Sequence, residues 1–246
     1  MGLAENIARV QERIAAACAR VGRAPSEVTL VAVSKTCSAE VVSETYRLGL
    51  RHFGENRVEE AREKIPDLKS DLPPSGRPTS DLHWHLVGHL QSRKAAEAVT
   101  LFDVIHSVDS VKLANKLSRL CIEAGRVMPV LLECNVSGEA SKYGFPAATA
   151  ADKARWIAGV EAILVEGVGV RVEGLMTVAP IVSQAQDARP AFRALRRLRD
   201  ELASRFPQTD WRHLSMGMTD DFEIAIEEGA TLVRVGRAIF GERQQA

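Results

Sequence analysis

The chain has 246 residues, 46% hydrophobic and 26% charged, which is enough to bury a large core without a disulfide or metal staple. Its 32 Lys and Arg balance 32 Asp and Glu, so the electrostatic case for a nucleic-acid partner is absent. No stretch approaches the roughly 20 apolar residues of a membrane span, Met1 to Arg23 lacks the apolar run of a signal peptide, and Cys18, Cys37, Cys121 and Cys134 are too scattered for a redox or zinc motif; a soluble cytoplasmic protein with reduced thiols is expected.

Leu3, Ile7, Val10, Ile14, Cys18 and Val21 recur at three- and four-residue steps, which predicts a helix closed by Gly22 and kept from restarting by Pro25. Residues 29–33 are a short β-branched run of the kind buried on both faces of a parallel sheet. The run ends at Ser34-Lys35-Thr36, and a helix is expected over 39–48. Further strands are expected to end near Asn56, Gly88, His106, Asn135, Met176, Ser215 and Gly236. Helices should cover 58–64, 93–99, 111–124, 148–161 and 188–206. A last helix, 220–228, has Thr219 as its expected N-cap, acids in its first turn and Gly229 at its end. Residues 66–80, with four prolines, read as a mobile loop before the third strand, too short to separate domains. Eight strands in strict alternation with helices imply one α/β domain over 1–246, a (β/α)8 TIM-type barrel with an extra N-terminal helix. An open doubly wound sheet is the alternative.

In such a barrel the working residues sit at the C-terminal ends of the strands. That rule selects Lys35, Asn56, His85, His106, Asn135, Met176, Ser215 to Thr219, Arg234 and Gly236. Lys35 directly follows an apolar strand. Low-dielectric walls would disfavour its ammonium form and free a lone pair to attack an aldehyde, although position alone favours a solvated lysine. Ser215-Met-Gly-Met-Thr219 places two hydroxyls and a glycine before a helix N-terminus, where an anion is favoured, and Gly236-Arg237-Ala238 offers a second close approach of backbone. Either piece alone also fits an ordinary capped turn. Arg234 shares a strand face with Leu232 and Gly236; if that face points inward, its guanidinium must find an acceptor. Together these features suggest a phosphorylated aldehyde with a ring acceptor. His83-Trp84-His85 puts two imidazoles on one strand face, which keeps a metal-dependent hydrolase open, although no carboxylate joins them.

A resemblance sharpens this reading. Leu30-Val-Ala-Val-Ser-Lys-Thr36, Phe53-Gly-Glu-Asn56, Trp84-His-Leu-Val-Gly88 with Leu90-Gln91, His106-Ser-Val-Asp109, Gly174-Leu-Met-Thr177, Leu214-Ser-Met-Gly-Met218 and the run from Ala225 through Gly236 to Gly241 carry it. The sequence resembles the pyridoxal phosphate homeostasis protein family, which is similar to the N-terminal barrel domain of alanine racemases. The resemblance implies pyridoxal 5′-phosphate held as an imine on Lys35, with Ser215, Gly217, Gly236 and Arg237 on the phosphate. Arg234 would face the pyridine nitrogen, and Asn56, His85 and Met218 would line the pocket. Glu133 and Cys134 stand where the family more often has Gln-Val, Arg93 replaces a frequent Asn, and Tyr143 replaces a small residue before Gly144.

The resemblance also implies binding without turnover. Arginine cannot accept the proton of a pyridinium, so the ring nitrogen stays neutral and the electron sink is weak. Racemases with this arrangement take a tyrosine base from a second domain and a partner subunit. No length for such a domain is expected after Ala246, and Tyr143 is the one candidate acid/base. The expected role is storage, buffering or delivery of the cofactor, with effects on amino-acid metabolism. Its partners would be transient apoenzymes, with no nucleic acid, membrane or metal, and the chain a monomer or weak dimer. A low-activity amino-acid racemase on the same cofactor is the alternative. Trp156, Ile157 and Val160 read as a packing face, the arginine-rich run 193–199 as an amphipathic helix, and Cys37 as an inert thiol.

Overall fold

The computed structural model describes residues 2–71 and 81–242. Eight parallel strands carry the fold: β1 (Thr29–Val33), β2 (His52–Glu55), β3 (His83–Leu86), β4 (Val104–Val108), β5 (Met128–Asn135), β7 (Val170–Met176), β8 (His213–Ser215) and β9 (Leu232–Val235). They pair in the order β4-β3-β2-β1-β9-β8-β7-β5, and β4 pairs with β5 to shut the ring. That closing pair overturns the open-sheet alternative. One strand was not expected: β6 (Phe145–Pro146) runs parallel to the end of β5, with Cys134 opposite Phe145.

The helices α1 (Leu3–Arg20), α2 (Ala39–Arg47), α3 (Val58–Asp71), α4 (Ala95–Leu101), α5 (Val111–Glu123), α6 (Ala150–Glu166), α7 (Arg189–Arg205), α8 (Phe222–Glu227) and α9 (Arg237–Phe240) surround the barrel. Buried Ile7, Val10, Ile14 and Cys18 set α1 against α8 and α9, while Val21 lies beyond the helix and is exposed. Ion pairs lock this corner: Arg13 to Glu223 at 2.7 Å, Arg20 to Glu227 at 2.7 Å, and Arg189 to buried Glu228 at 2.6 Å. Trp156, Ile157 and Val160 are buried along α6, and Leu195 and Leu198 along α7, as their spacing requires.

Two expectations need correction. The expected loop from residue 66 begins inside a helix, because α3 continues through Pro66 to Asp71; residues 72–80 of that stretch lie outside the described residues. A proline removes one helical hydrogen bond, and the buried face of Val58, Ala61 and Ile65 anchors the helix just before that break. The second concerns Thr219, which is not a helix cap. The Asp221 carboxylate accepts the Met218 amide at 2.6 Å, folding 218–221 into a turn, and α8 starts only at Phe222.

Candidate cofactor site

β1 delivers Lys35 to the barrel mouth, and the backbone on both sides of it is pinned. Ser34 N–H donates to Gly54 O at 3.0 Å, and Ser34 Oγ donates to Glu55 Oε1 at 2.7 Å. Lys64 Nζ reaches the same Glu55 oxygen at 2.6 Å and Ser34 O at 2.8 Å. Thr36, with φ of +66°, is the only described non-glycine in the left-handed region, and its amide is held by Glu60 Oε2 at 3.0 Å. A non-glycine residue in that region costs free energy and persists only where neighbours over-determine it. Glu55 and Lys64 are both buried; burial pushes the Glu55 carboxyl up, and Lys64 and Ser34 pull it partly back. Lys35 itself is half-buried.

β9 lies beside β1, with Arg234 opposite Val31. The arginine points inward and finds the acceptors its burial demands: Nη1 donates to Ser215 Oγ at 2.7 Å and Nη2 to Thr177 O at 2.9 Å. Burial lowers its pKa to about 10, opposed by Glu133 and Asp221, so it stays a cation at neutral pH. Past the strand, a Cβ on Gly236 would stand 3.2 Å from Val33 O, so the loop after β9 runs close against the lysine-bearing end of β1.

β8 completes the group. Gly217 has φ of +90°, and a Cβ there would lie 2.6 Å from Ala225 Cβ and 2.8 Å from Phe222 Cα. Its carbonyl accepts the Arg234 amide at 3.0 Å. Gly217→Ala therefore forces both a strained backbone and a core clash, and should cost about 2–4 kcal/mol of stability. Chemical denaturation checks this, and a loss under 1 kcal/mol would contradict the geometry. Met218 sits at the rim, 39% exposed, and Arg237 pairs with Asp220, tying the loops after β8 and β9 together. Lys35, Ser215, Gly217, Met218, Arg234, Gly236 and Arg237 thus gather on three adjacent strands.

Asn56 stands on the other flank of β1, half-buried, in a cleft of about 480 Å³ that Gly88, His89 and Lys94 also line. His85, expected to line the pocket, stands one residue before the end of β3. It is buried inside the barrel, its Nε2 3.0 Å from His52 Nδ1 and its Nδ1 2.9 Å from His106 Nε2. β3 carries it opposite Gly54, which pairs with Val33 at the end of β1, and His106 links it to Ser215. His83 stacks on His52 at 4.8 Å, and among the described residues no group of three His, Cys, Asp or Glu is placed to hold a metal. Tyr143 is 58% exposed and lies flat on His89 at 3.8 Å, with His89 Nδ1 3.2 Å from Asp109 Oδ2. Cys37 is half-buried with its thiol pushed up by burial, which makes it a poor nucleophile.

Glu133 was not among the expected site residues, although its departure from the family pattern marked it. It is buried on β5, and its Oε2 has no hydrogen-bond partner. Burial pushes its carboxyl up to about 7, Asp109 adds to the rise, and Arg234 opposes it. The folded carboxyl holds its proton to a higher pH than the unfolded one. Stability contributed by this group is therefore present below the usual 4.5 and lost as pH rises to about 7, a difference of about 3 kcal/mol. Glu133→Gln, which cannot ionise, should match the wild type near pH 4 and exceed it at pH 8. Parallel stability curves for the two proteins would refute the shift.

A closed parallel barrel with a lysine ending its first strand, an inward arginine on its last, and two glycine-bearing loops beside them defines an amine-presenting barrel of the racemase type. The chain belongs to the alanine racemase N-terminal domain family, whose model matches residues 3–244, and within it to the pyridoxal phosphate homeostasis proteins. It is 41% identical to the pyridoxal phosphate homeostasis protein of Aquifex aeolicus over 99% of this chain and all of that one. It is 40% identical to the Pseudomonas aeruginosa protein of the same name, over 98% of this chain and 96% of that one. Among solved structures, PipY of Synechococcus elongatus with pyridoxal phosphate bound superposes with a TM-score of 0.80 at 39% identity, covering 98% of this chain and 100% of that one.

Proposed function

We propose that this protein binds pyridoxal 5′-phosphate as an imine on Lys35 and stores, buffers or delivers it, without turning over a substrate. The observation that carries the reading is the convergence of Lys35, Arg234 and the Gly217 and Gly236 loops at one end of the barrel, in a chain 39% identical to a protein solved with this cofactor. The cofactor supplies an aldehyde for a primary amine and an electron-withdrawing ring. Lys35 supplies the amine. Ser215, Gly217, Gly236 and Arg237 hold the phosphate, with the close approach at Gly236 and the left-handed Gly217 leaving backbone open to it. Arg234 presents its guanidinium to the ring nitrogen, and Asn56, His85 and Met218 line the pocket.

Binding without turnover is favoured by Arg234 itself. A guanidinium that donates to Ser215 and Thr177 cannot take a proton from the ring, so the nitrogen stays neutral and carbanions are poorly stabilised. Tyr143 is committed to stacking on His89. Such a protein would act in the cytoplasm as a monomer or weak dimer, passing cofactor to apoenzymes in transient encounters. The test is the visible spectrum of the purified chain with added cofactor, followed by borohydride reduction and peptide mass analysis. An imine band fixed on Lys35, with no racemisation of amino acids, is the expected result. Robust racemisation would overturn the non-catalytic role, and a label elsewhere would overturn the site.

A further inference from the structure

A continuous string of polar side chains crosses the inside of the barrel. Arg234 Nη1 lies 2.7 Å from Ser215 Oγ, Ser215 Oγ 2.9 Å from His106 Nδ1, His106 Nε2 2.9 Å from His85 Nδ1, and His85 Nε2 3.0 Å from His52 Nδ1. β4 and β8, which carry His106 and Ser215, are not neighbours in the sheet, so this contact runs through the interior. Ser215, His85 and His106 are buried, and His52 is half-buried.

Counting donors and acceptors leaves one arrangement. A guanidinium only donates, so Ser215 Oγ accepts from Arg234. In the free protein His106 is the other partner of that hydroxyl among the described residues, and a buried O–H left without an acceptor is costly. Ser215 must donate to His106 Nδ1. His106 then carries its proton on Nε2 and donates to His85 Nδ1; His85 likewise donates from Nε2 to His52 Nδ1. We infer that Ser215, His106, His85 and His52 form a hydrogen-bond relay of single polarity, set by Arg234, and that His106 and His85 are positioning residues which fix the Ser215–Arg234 pair.

The surroundings keep the relay neutral. Burial lowers the pKa of all three imidazoles, that of His52 to about 4. His83 and His213 face His52 and His85, and Arg234 and His213 face His106, so the Arg234 cation opposes protonation of His106, and one charged imidazole in the cluster would disfavour a second. Glu133 acts on Arg234, and it is Arg234 that bears on His106. A charged imidazole would donate from both nitrogens and break the polarity.

This deepens the cofactor reading and rests on it only for its purpose, since the polarity is a property of the free protein. Histidine nitrogen NMR of that free protein should find His106, His85 and His52 neutral, each with its proton on Nε2, from pH 5.5 to 8. A proton on Nδ1 of His106 or His85, or titration of either in that range, overturns the relay. His106→Phe keeps bulk but removes both ring nitrogens, whereas His106→Gln can still accept from Ser215 and donate to His85. Phenylalanine should weaken cofactor binding about tenfold and shift the bound absorption maximum, with glutamine within about threefold of wild type. Equal behaviour of the two variants overturns the positioning role. No imine band in the wild type would sink the cofactor reading and leave the relay standing on its NMR result.

Discussion

Replacing Lys35 by alanine is expected to abolish the imine band and the borohydride-fixed cofactor, and to weaken cofactor retention at least about a hundredfold. Stability should change by less than about 1 kcal/mol, because the side chain is half-buried at a strand end and fills no core position. On either side of it, Ser34 and Thr36 are held by Glu55, Lys64 and Glu60. Arg234, Gly236 and Gly217 remain in place, so weak, non-covalent, phosphate-dependent binding should persist and be competed by inorganic phosphate. Equilibrium dialysis with spectra of both proteins makes the comparison. An undiminished band in the variant would place the imine on another amine.

Lys64→Met should destabilise the fold by about 3–5 kcal/mol near neutral pH, because it strips the buried Glu55 carboxylate of its counter-charge. The pH dependence follows from direction alone. Burial already raises the Glu55 carboxyl, and removing Lys64 takes away its largest opposing influence. The variant's folded carboxyl therefore titrates further above the unfolded value, and between the two the folded chain holds more protons. Stability then falls as pH rises through that window, so the deficit is small near pH 4 and grows as pH rises. Denaturation at pH 5 and pH 8 reads this out. An equal deficit at both would show that Lys64 acts by packing its methylenes, and Lys64→Met with Glu55→Gln should recover most of the loss if charge is the cause. The same variant frees Ser34 O beside the lysine, so imine formation should slow even where the protein remains folded.

The alternation of apolar runs with amphipathic stretches was enough to name the barrel, because strands buried on both faces and helices with one apolar stripe are local signals. Lys35, Ser215, Gly217, Arg234 and Gly236 were legible for a related reason: each sits where a strand pattern ends, and strand ends make the mouth. Arg234 was legible as a demand, since an inward guanidinium needs acceptors, but its acceptors Ser215 and Thr177 come from other strands and no spacing names them. Pro66 misled because a proline signals a break locally, while a buried helix face can hold a helix across one missing hydrogen bond.

The histidine string inside the barrel has no local signal. His85 is readable near the end of β3, but its partners His52 and His106 depend on the register of β3 against β2 and on how the ring closes. The same holds for Glu55 with Lys64 and for the orphaned Glu133 oxygen: burial of a charge is set by what packs over it, and that comes from distant parts of the chain. Local patterns were enough for the barrel and for the strand-end residues proposed to hold the cofactor. Closure of the eight strands decided which polar groups meet inside, because contacts across a barrel follow from strand stagger and pairing order, which no local period encodes.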